Sequence, residues 1–147
     1  MKRLETCPDC GGRVAENSKV VRDETIAGVR FMVTLPAAKC PKCDATFVPA
    51  GALQTKELRI AEHLLRGAAN GPAFKYARKA LGWRAVDFAE MLQVDAATVS
   101  RWENKIPDRA AWLFLWSSVK LRLGGQSTVP VREEQLPTDA PVDLSIC

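Results

Sequence analysis

The apolar residues of this chain follow two different periods, and the change from one to the other divides it. Residues 29–35, VRFMVTL, are β-branched and aromatic enough to form a strand. Before them, residues 13–26 alternate in part and include the pair Val20 and Val21, and Gly28 marks a turn. The pattern predicts a small antiparallel sheet that ends at Pro36. From residue 52 the period lengthens. Leu53, Ile60, Ala61, Leu64 and Leu65 recur at helical spacing over residues 52–66, until Gly67, Asn70, Gly71 and Pro72 stop the helix and offer a hinge. A short helix follows over 73–81, with Phe74, Ala77 and Leu81 on one face and Gly82 as its stop.

Residues 85–105 read AVDFAEMLQVDAATVSRWENK. The spacing predicts a helix over 85–92 with Val86, Ala89 and Leu92 inward, a tight turn over 93–95 plugged by Val94, and a second helix over 96–104. Asp95 is placed to cap the second helix by accepting backbone N–H groups. On that helix Val99 and Trp102 face inward, whereas Ala97, Thr98, Arg101 and Lys105 face outward. One buried seam and one exposed face are what a helix-turn-helix requires to enter the major groove of DNA. The bland alternative is a helical hairpin whose surface happens to carry arginine.

In the helix expected over 108–123, residues 112–116 read WLFLW, an apolar run that covers every side. One small core cannot bury it all. A two-fold homodimer is the expected second surface, and packing against the 52–66 helix is the competing one. Beyond it, Gly124, Gly125, Pro130, Pro137 and Pro141 predict a flexible tail. The expected divisions are a metal-binding domain over 1–51, a connector helix and hinge over 52–71, a DNA-binding and dimerisation domain over 72–123, and a tail over 124–147.

Cysteine chemistry changes this picture most. Cys7 and Cys10 lie in CPDC, and Cys40 and Cys43 in CPKC. Two C-x-x-C knuckles separated by one small β-unit point to a tetrahedral zinc site of four thiolates, with Gly11 and Gly12 easing the first turn. With all four ligands supplied by protein, no position stays open for water, so one zinc ion per chain is expected to be structural. For a domain of this size, metal binding supplies much of the folding energy. The alternatives are two redox pairs or two disulfides. The first residues, MKRLET, form no apolar secretory run, so a reducing, cytoplasmic location is expected, where structural disulfides are disfavoured. Cys147 has no partner pair and reads as an incidental thiol, and His63, the only histidine, as a packing residue.

Charge adds a weaker signal. The chain of 147 residues carries a formal +4, and residues 67–123 hold nine basic against five acidic side chains. That segment is the expected polyanion-facing part. No apolar run approaches the ~18 residues of a membrane span. No catalytic constellation is visible: there is no second His, no open metal position and no Gly-rich phosphate loop. The expected class is α+β, a zinc-ribbon-like β-rich domain followed by an all-α helix-turn-helix domain, and not an enzyme.

Residues 94–103, VDAATVSRWE, resemble the helix-turn-helix of Xre/Cro-type bacterial repressors. Joined to an N-terminal CPxCGG…CPxC unit, they resemble the MqsA (YgiT-type) antitoxin family over about residues 7–123. The resemblance implies an N-terminal domain that binds zinc and a toxin, commonly a ribonuclease. It also implies a C-terminal domain that dimerises and represses its own operon at a palindrome of double-stranded DNA. Cys7, Cys10, Cys40 and Cys43 match the family's zinc ligands, and Arg101 matches its major-groove arginine, which can give two bonds to guanine. Ala97 stands where a well-known member reads a base with Asn, and here it can only touch a thymine methyl. Arg84 stands where Ser or Thr commonly caps, and Gln93 where Gly is common.

By role, Arg101 and Thr98 are expected to read bases, while Ser100, Asn104, Lys105 and Arg84 hold phosphates. Trp102 is expected in the core, and Glu103 as an intramolecular partner of a nearby Arg or Lys. Three functions follow: a dimeric zinc-stabilised repressor acting as an antitoxin, a zinc-ribbon regulator without a toxin, and a thiol redox protein. The first is favoured.

Overall fold

The computed structural model describes residues 6–124 and 141–146. Strand β1 (Ala15–Ile26) and strand β2 (Val29–Lys39) form a long antiparallel hairpin. Its two-residue loop holds Ala27 and Gly28 at positive φ (51° and 79°), the backbone that lets a tight turn match the strand twist. Strand β3 (Thr46–Phe47) pairs with the end of β2. Five helices follow: α1 (Ala50–Arg66), α2 (Gly71–Ala80), α3 (Ala85–Leu92), α4 (Ala96–Asn104) and α5 (Arg109–Arg122). The mixed α+β class expected from the sequence is the one observed.

Alternation decides how sheet meets helices. Phe31, Val33 and Leu35 are fully buried on one face of β2. They share one continuous apolar cluster with Ile60, Ala61, Leu64 and Leu65 of α1, Phe74 and Ala77 of α2, and Leu115 and Val119 of α5. Each of the larger side chains, the Val, Leu, Ile and Phe of this cluster, contributes roughly 1.5–3 kcal/mol on leaving water. The His63 and Phe31 rings meet at right angles with centroids 5.5 Å apart. Beside them Lys56 of α1 pairs with Glu24 of β1 at 2.8 Å. The helix expected as a connector thus lies inside the core, gripped by the sheet and by α2 and α5.

Three expectations are corrected. Strand β2 does not end at Pro36 but runs through it to Lys39. Thr34 accepts from the Ile146 N–H on the edge away from β1, so Pro36, two residues on, turns its nitrogen to the same edge. Neither β3 nor residues 142–145 pair with β2 at that position, and the missing N–H costs no ladder bond. The tail expectation also fails at its end: strand β4 (Val142–Ser145) runs parallel to β2 alongside residues 31–34, and Ile146 is buried. Val142, Leu144 and Ile146 form a period of two that docks on the main core; the rest of the expected tail, 125–140 and 147, lies outside the described residues.

The third correction concerns α3. Val86 is 56% exposed, and the buried residues are Phe88 and Ala89, with Leu92 beside them. Phe88 stacks on Trp83 at 5.9 Å and meets Phe74 edge-on at 5.7 Å, so the larger ring takes the core position.

The apolar run of α5 divides. Ala111, Trp112, Leu115 and Val119 are buried in their own chain, and Trp112 Nε1–H donates to the Leu65 carbonyl at 3.2 Å. The competing explanation, packing against α1, therefore accounts for one side of α5. Leu113, Phe114 and Leu121 remain on the outside.

Candidate metal centre and nucleic-acid interface

The two knuckles repeat one backbone design. In the first, Cys7 N–H donates to Gly12 O and Gly11 N–H to Cys7 O, both at 2.8 Å. In the second, Cys40 N–H donates to Ala45 O and Asp44 N–H to Cys40 O, both at 2.9 Å. The residue after each second cysteine is left-handed, Gly11 at φ 68° and Asp44 at φ 61°. Next to it, Gly12 leaves room for sulfur: a Cβ there would lie 3.3 Å from Cys10 Sγ and from Lys42.

The β1–β2 hairpin carries one knuckle at each of its open ends and brings them together. All four Sγ atoms lie within 4.8 Å of one another. Cys7 and Cys43 are 3.6 Å apart, and Cys10 and Cys40 3.5 Å. A tetrahedron of sulfurs about 2.3 Å from zinc has edges of about 3.8 Å, so the cluster fits a closed four-thiolate site. Val14, Phe47, Ala38 and Ala45 pack around it, with Cys7 and Cys40 buried and Cys43 at the surface.

Backbone amides aim at the sulfurs. Cys40 is held down to about 7, first by the Cys43 amide and then by that of Lys42, against its burial. The Gly12 amide pulls Cys10 down, but the Cys40 thiol, burial and the Cys43 and Cys7 thiols together push it up to about 12. Negative charge on one sulfur thus denies charge to its neighbours. A cation that lets all four ionise together is what the arrangement accommodates.

The second site lies on α4. Asp95 caps this helix by accepting from Thr98 N–H at 2.7 Å. Gln93 closes α3 in the left-handed region, at φ 56°, ψ 41°. Val99 is fully buried, and Trp102 meets Phe74 edge-on at 6.1 Å, so both face the core as expected. Glu103 has the intramolecular partner foreseen for it, Arg78 of α2, at 2.5 Å. A second contact joins the same two helices, because a Cβ at Gly71 would collide with the Glu103 backbone carbonyl. The N-terminus of α2 is thereby pressed against the C-terminal carbonyls of α4.

With the inward face fixed, Ala97, Ser100, Arg101 and Asn104 are exposed on α4, as is Lys105 just past its end, and Thr98 is half-buried. Asn104 donates to the Ser100 carbonyl at 2.8 Å. Arg84, at the start of α3, points two N–H groups at Asp87, at 2.8 and 2.9 Å. That pair raises the arginine pKa and lowers that of the carboxylate, in both cases mainly through the hydrogen bonds themselves. Sequence reasoning did not find Arg78 as the partner of Glu103, because the two lie 25 residues apart and no local pattern joins them.

Comparison with known proteins agrees with the local geometry. Residues 74–109, from α2 to the start of α5, match a helix-turn-helix family of the Xre/Cro type. No curated protein and no solved structure matches the chain. The chain therefore carries the DNA-binding unit of a transcription regulator, next to a four-cysteine cluster able to hold a metal ion. Among the described residues, no helix is long and apolar enough to cross a membrane.

Proposed function

We propose that this protein is a zinc-stabilised, dimeric transcriptional repressor that reads a palindromic operator, and that it serves as the antitoxin of a toxin–antitoxin pair. It is not an enzyme. The observation that carries the reading is the exposed α4 face bearing Arg101, within a helix-turn-helix held rigid from behind by Val99, Trp102 and the Arg78–Glu103 pair. Arg101 reads guanine, Ala97 at most touches a thymine methyl, and Ser100, Asn104 and Lys105 hold phosphates. Arg84 joins them by exchanging Asp87 for a phosphate, an easy exchange because the pair is exposed.

Cys7, Cys10, Cys40 and Cys43 hold one zinc ion. The ion folds the two knuckles and does no chemistry, since every ligand position is filled by sulfur. The stripe of Leu113, Phe114 and Leu121 on α5 supports the two-fold dimer, which would set two α4 helices about one DNA turn apart. The N-terminal domain is the surface for a ribonuclease-type toxin.

The test uses the full-length protein. Selection from a randomised duplex library should return a palindrome, and Arg101→Ala should abolish preference for it while zinc content and melting stay unchanged. Wild-type affinity in Arg101→Ala would sink the assignment of α4. A ribonuclease encoded beside the gene and co-purifying in fixed stoichiometry supports the antitoxin role; its absence leaves a regulator without a toxin. Free thiols at the four cysteines of purified protein would instead favour the redox alternative.

A further inference from the structure

The outward face of α4 carries a hydrogen-bonded relay that ends on Arg101. Asp95 Oδ1 accepts twice from Thr98, from its amide at 2.7 Å and from its hydroxyl Oγ1 at 2.6 Å. The same Oγ1 then accepts from Arg101 Nη2 at 2.9 Å. A hydroxyl has one proton and two lone pairs. Here its proton is committed to Asp95 and one lone pair to Arg101. Both bonds involve a charged partner, so each polarises the hydroxyl in the sense that strengthens the other.

We infer that Thr98 is a positioning residue for sequence readout: it acts through Arg101, holding the guanidinium over the groove face of α4, and does not itself read a base. The inference rests on the DNA-reading proposal above. The three residues lie at successive i, i+3 positions, where helix geometry brings side chains together. Asp95 anchors the relay because the cap of α4 already fixes it. Its carboxyl is held below the usual carboxylate range, first by the Thr98 hydroxyl, then by the Thr98 amide, and further by the Arg101 charge.

The physical gain is preorganisation. A free arginine samples many rotamers, and immobilising such a side chain at an interface costs conformational entropy. A guanidinium held by one of its five N–H groups has met part of that cost in advance, and its remaining four donors stay available for guanine O6 and N7. Ala97 makes this more important, because a methyl one turn before Arg101 offers no polar readout of its own. Specificity then rests on how well one arginine is aimed.

The experiment is a double-mutant cycle on the full-length protein. Its probe is the duplex that the wild type selects from a randomised library. Wild type, Thr98→Val, Thr98→Ser, Arg101→Ala and the Thr98→Val/Arg101→Ala double variant are measured at low salt, where phosphate contacts keep weak binders measurable. Valine keeps the shape and loses the hydroxyl; should it unfold the helix, Thr98→Ala replaces it. The expected loss for Thr98→Val is about three- to tenfold, the equivalent of one mobilised side chain. Thr98→Ser should restore binding, and in the Arg101→Ala background Thr98→Val should change nothing further. An equal loss in both backgrounds would overturn the inference, since Thr98 would then touch DNA itself.

A second readout needs no DNA. Nuclear relaxation of the Arg101 Nε–H should show an ordered side chain in wild type and Thr98→Ser and a mobile one in Thr98→Val. Unchanged order in Thr98→Val overturns the relay. If the wild type selects no sequence at all, the DNA-reading proposal falls and takes this inference with it, an outcome distinct from an additive cycle.

Discussion

Arg78 of α2 and Glu103 at the end of α4 form an ion pair whose side chains are only 7% and 10% exposed. Arg78 also donates to the Trp83 carbonyl at 2.6 Å, so one guanidinium ties α2, the α2–α3 loop and α4 together. Removing one partner of such a pair leaves a buried charge uncompensated. Arg78→Ala should lower stability by roughly 3–5 kcal/mol, read from the midpoint of urea unfolding. Arg78→Met with Glu103→Leu should recover most of the loss, because packing replaces charge. A loss for Arg78→Ala below about 1 kcal/mol would mean that water already screens the pair.

Gln93 holds a backbone conformation that suits glycine. A non-glycine residue in the left-handed region carries a steric cost, partly offset because glycine loses more entropy on folding. Gln93→Gly should therefore stabilise the fold by about 0.5–1 kcal/mol, measured by thermal unfolding. The side chain is exposed, so no packing is lost with it. A destabilised Gln93→Gly would show that the glutamine makes a compensating contact.

His63 titrates below its ordinary value, mainly because it is buried and then because Arg66 is near, with Glu62 opposing. The unfolded chain thus takes up this proton at higher pH than the folded one. Neutral His63 supports the fold above its ordinary value of about 6.5, and that support is lost as pH falls toward the lower folded value. The melting temperature should decline across this window, and the decline should be shallower in His63→Gln. Identical slopes for the two proteins would rule the group out.

Metal removal should act on one end of the molecule. Cys40→Ser, or a strong chelator, should melt the knuckles, whereas the helices keep their far-ultraviolet signal because Phe31, Val33 and Leu35 belong to the separate main core. Cobalt bound at the four cysteines should show the charge-transfer bands of a tetrahedral thiolate site. Affinity should rise with pH, since metal binding must displace thiol protons. A chelated protein with unchanged melting would exclude a structural metal.

Much of this was legible because it is local. Two C-x-x-C knuckles announce a thiolate cluster by their spacing alone. The 85–92, 93–95 and 96–104 divisions of the helix-turn-helix agree with α3, its turn and α4, because capping and helical period act within a few residues. Val86 misled for an equally physical reason. Helical spacing alone cannot choose between two overlapping stripes, and the ring of Phe88 outweighs the Val86 side chain once Trp83 and Phe74 offer it partners.

By itself, then, the sequence determined the four-cysteine cluster, the bounds of α3 and α4 and the face of α4 that carries Arg101, since each depends on neighbours in the chain. Only the tertiary structure decided that α1 lies in the core, that β4 returns to β2 across more than a hundred residues, and that Arg78 finds Glu103. Such pairings depend on which distant surfaces exclude water together, and no spacing along the chain encodes that choice. The relay from Asp95 to Arg101 falls between the two. Its i, i+3 spacing is written in the sequence, but the direction in which the Thr98 hydroxyl donates depended on how the cap of α4 folds.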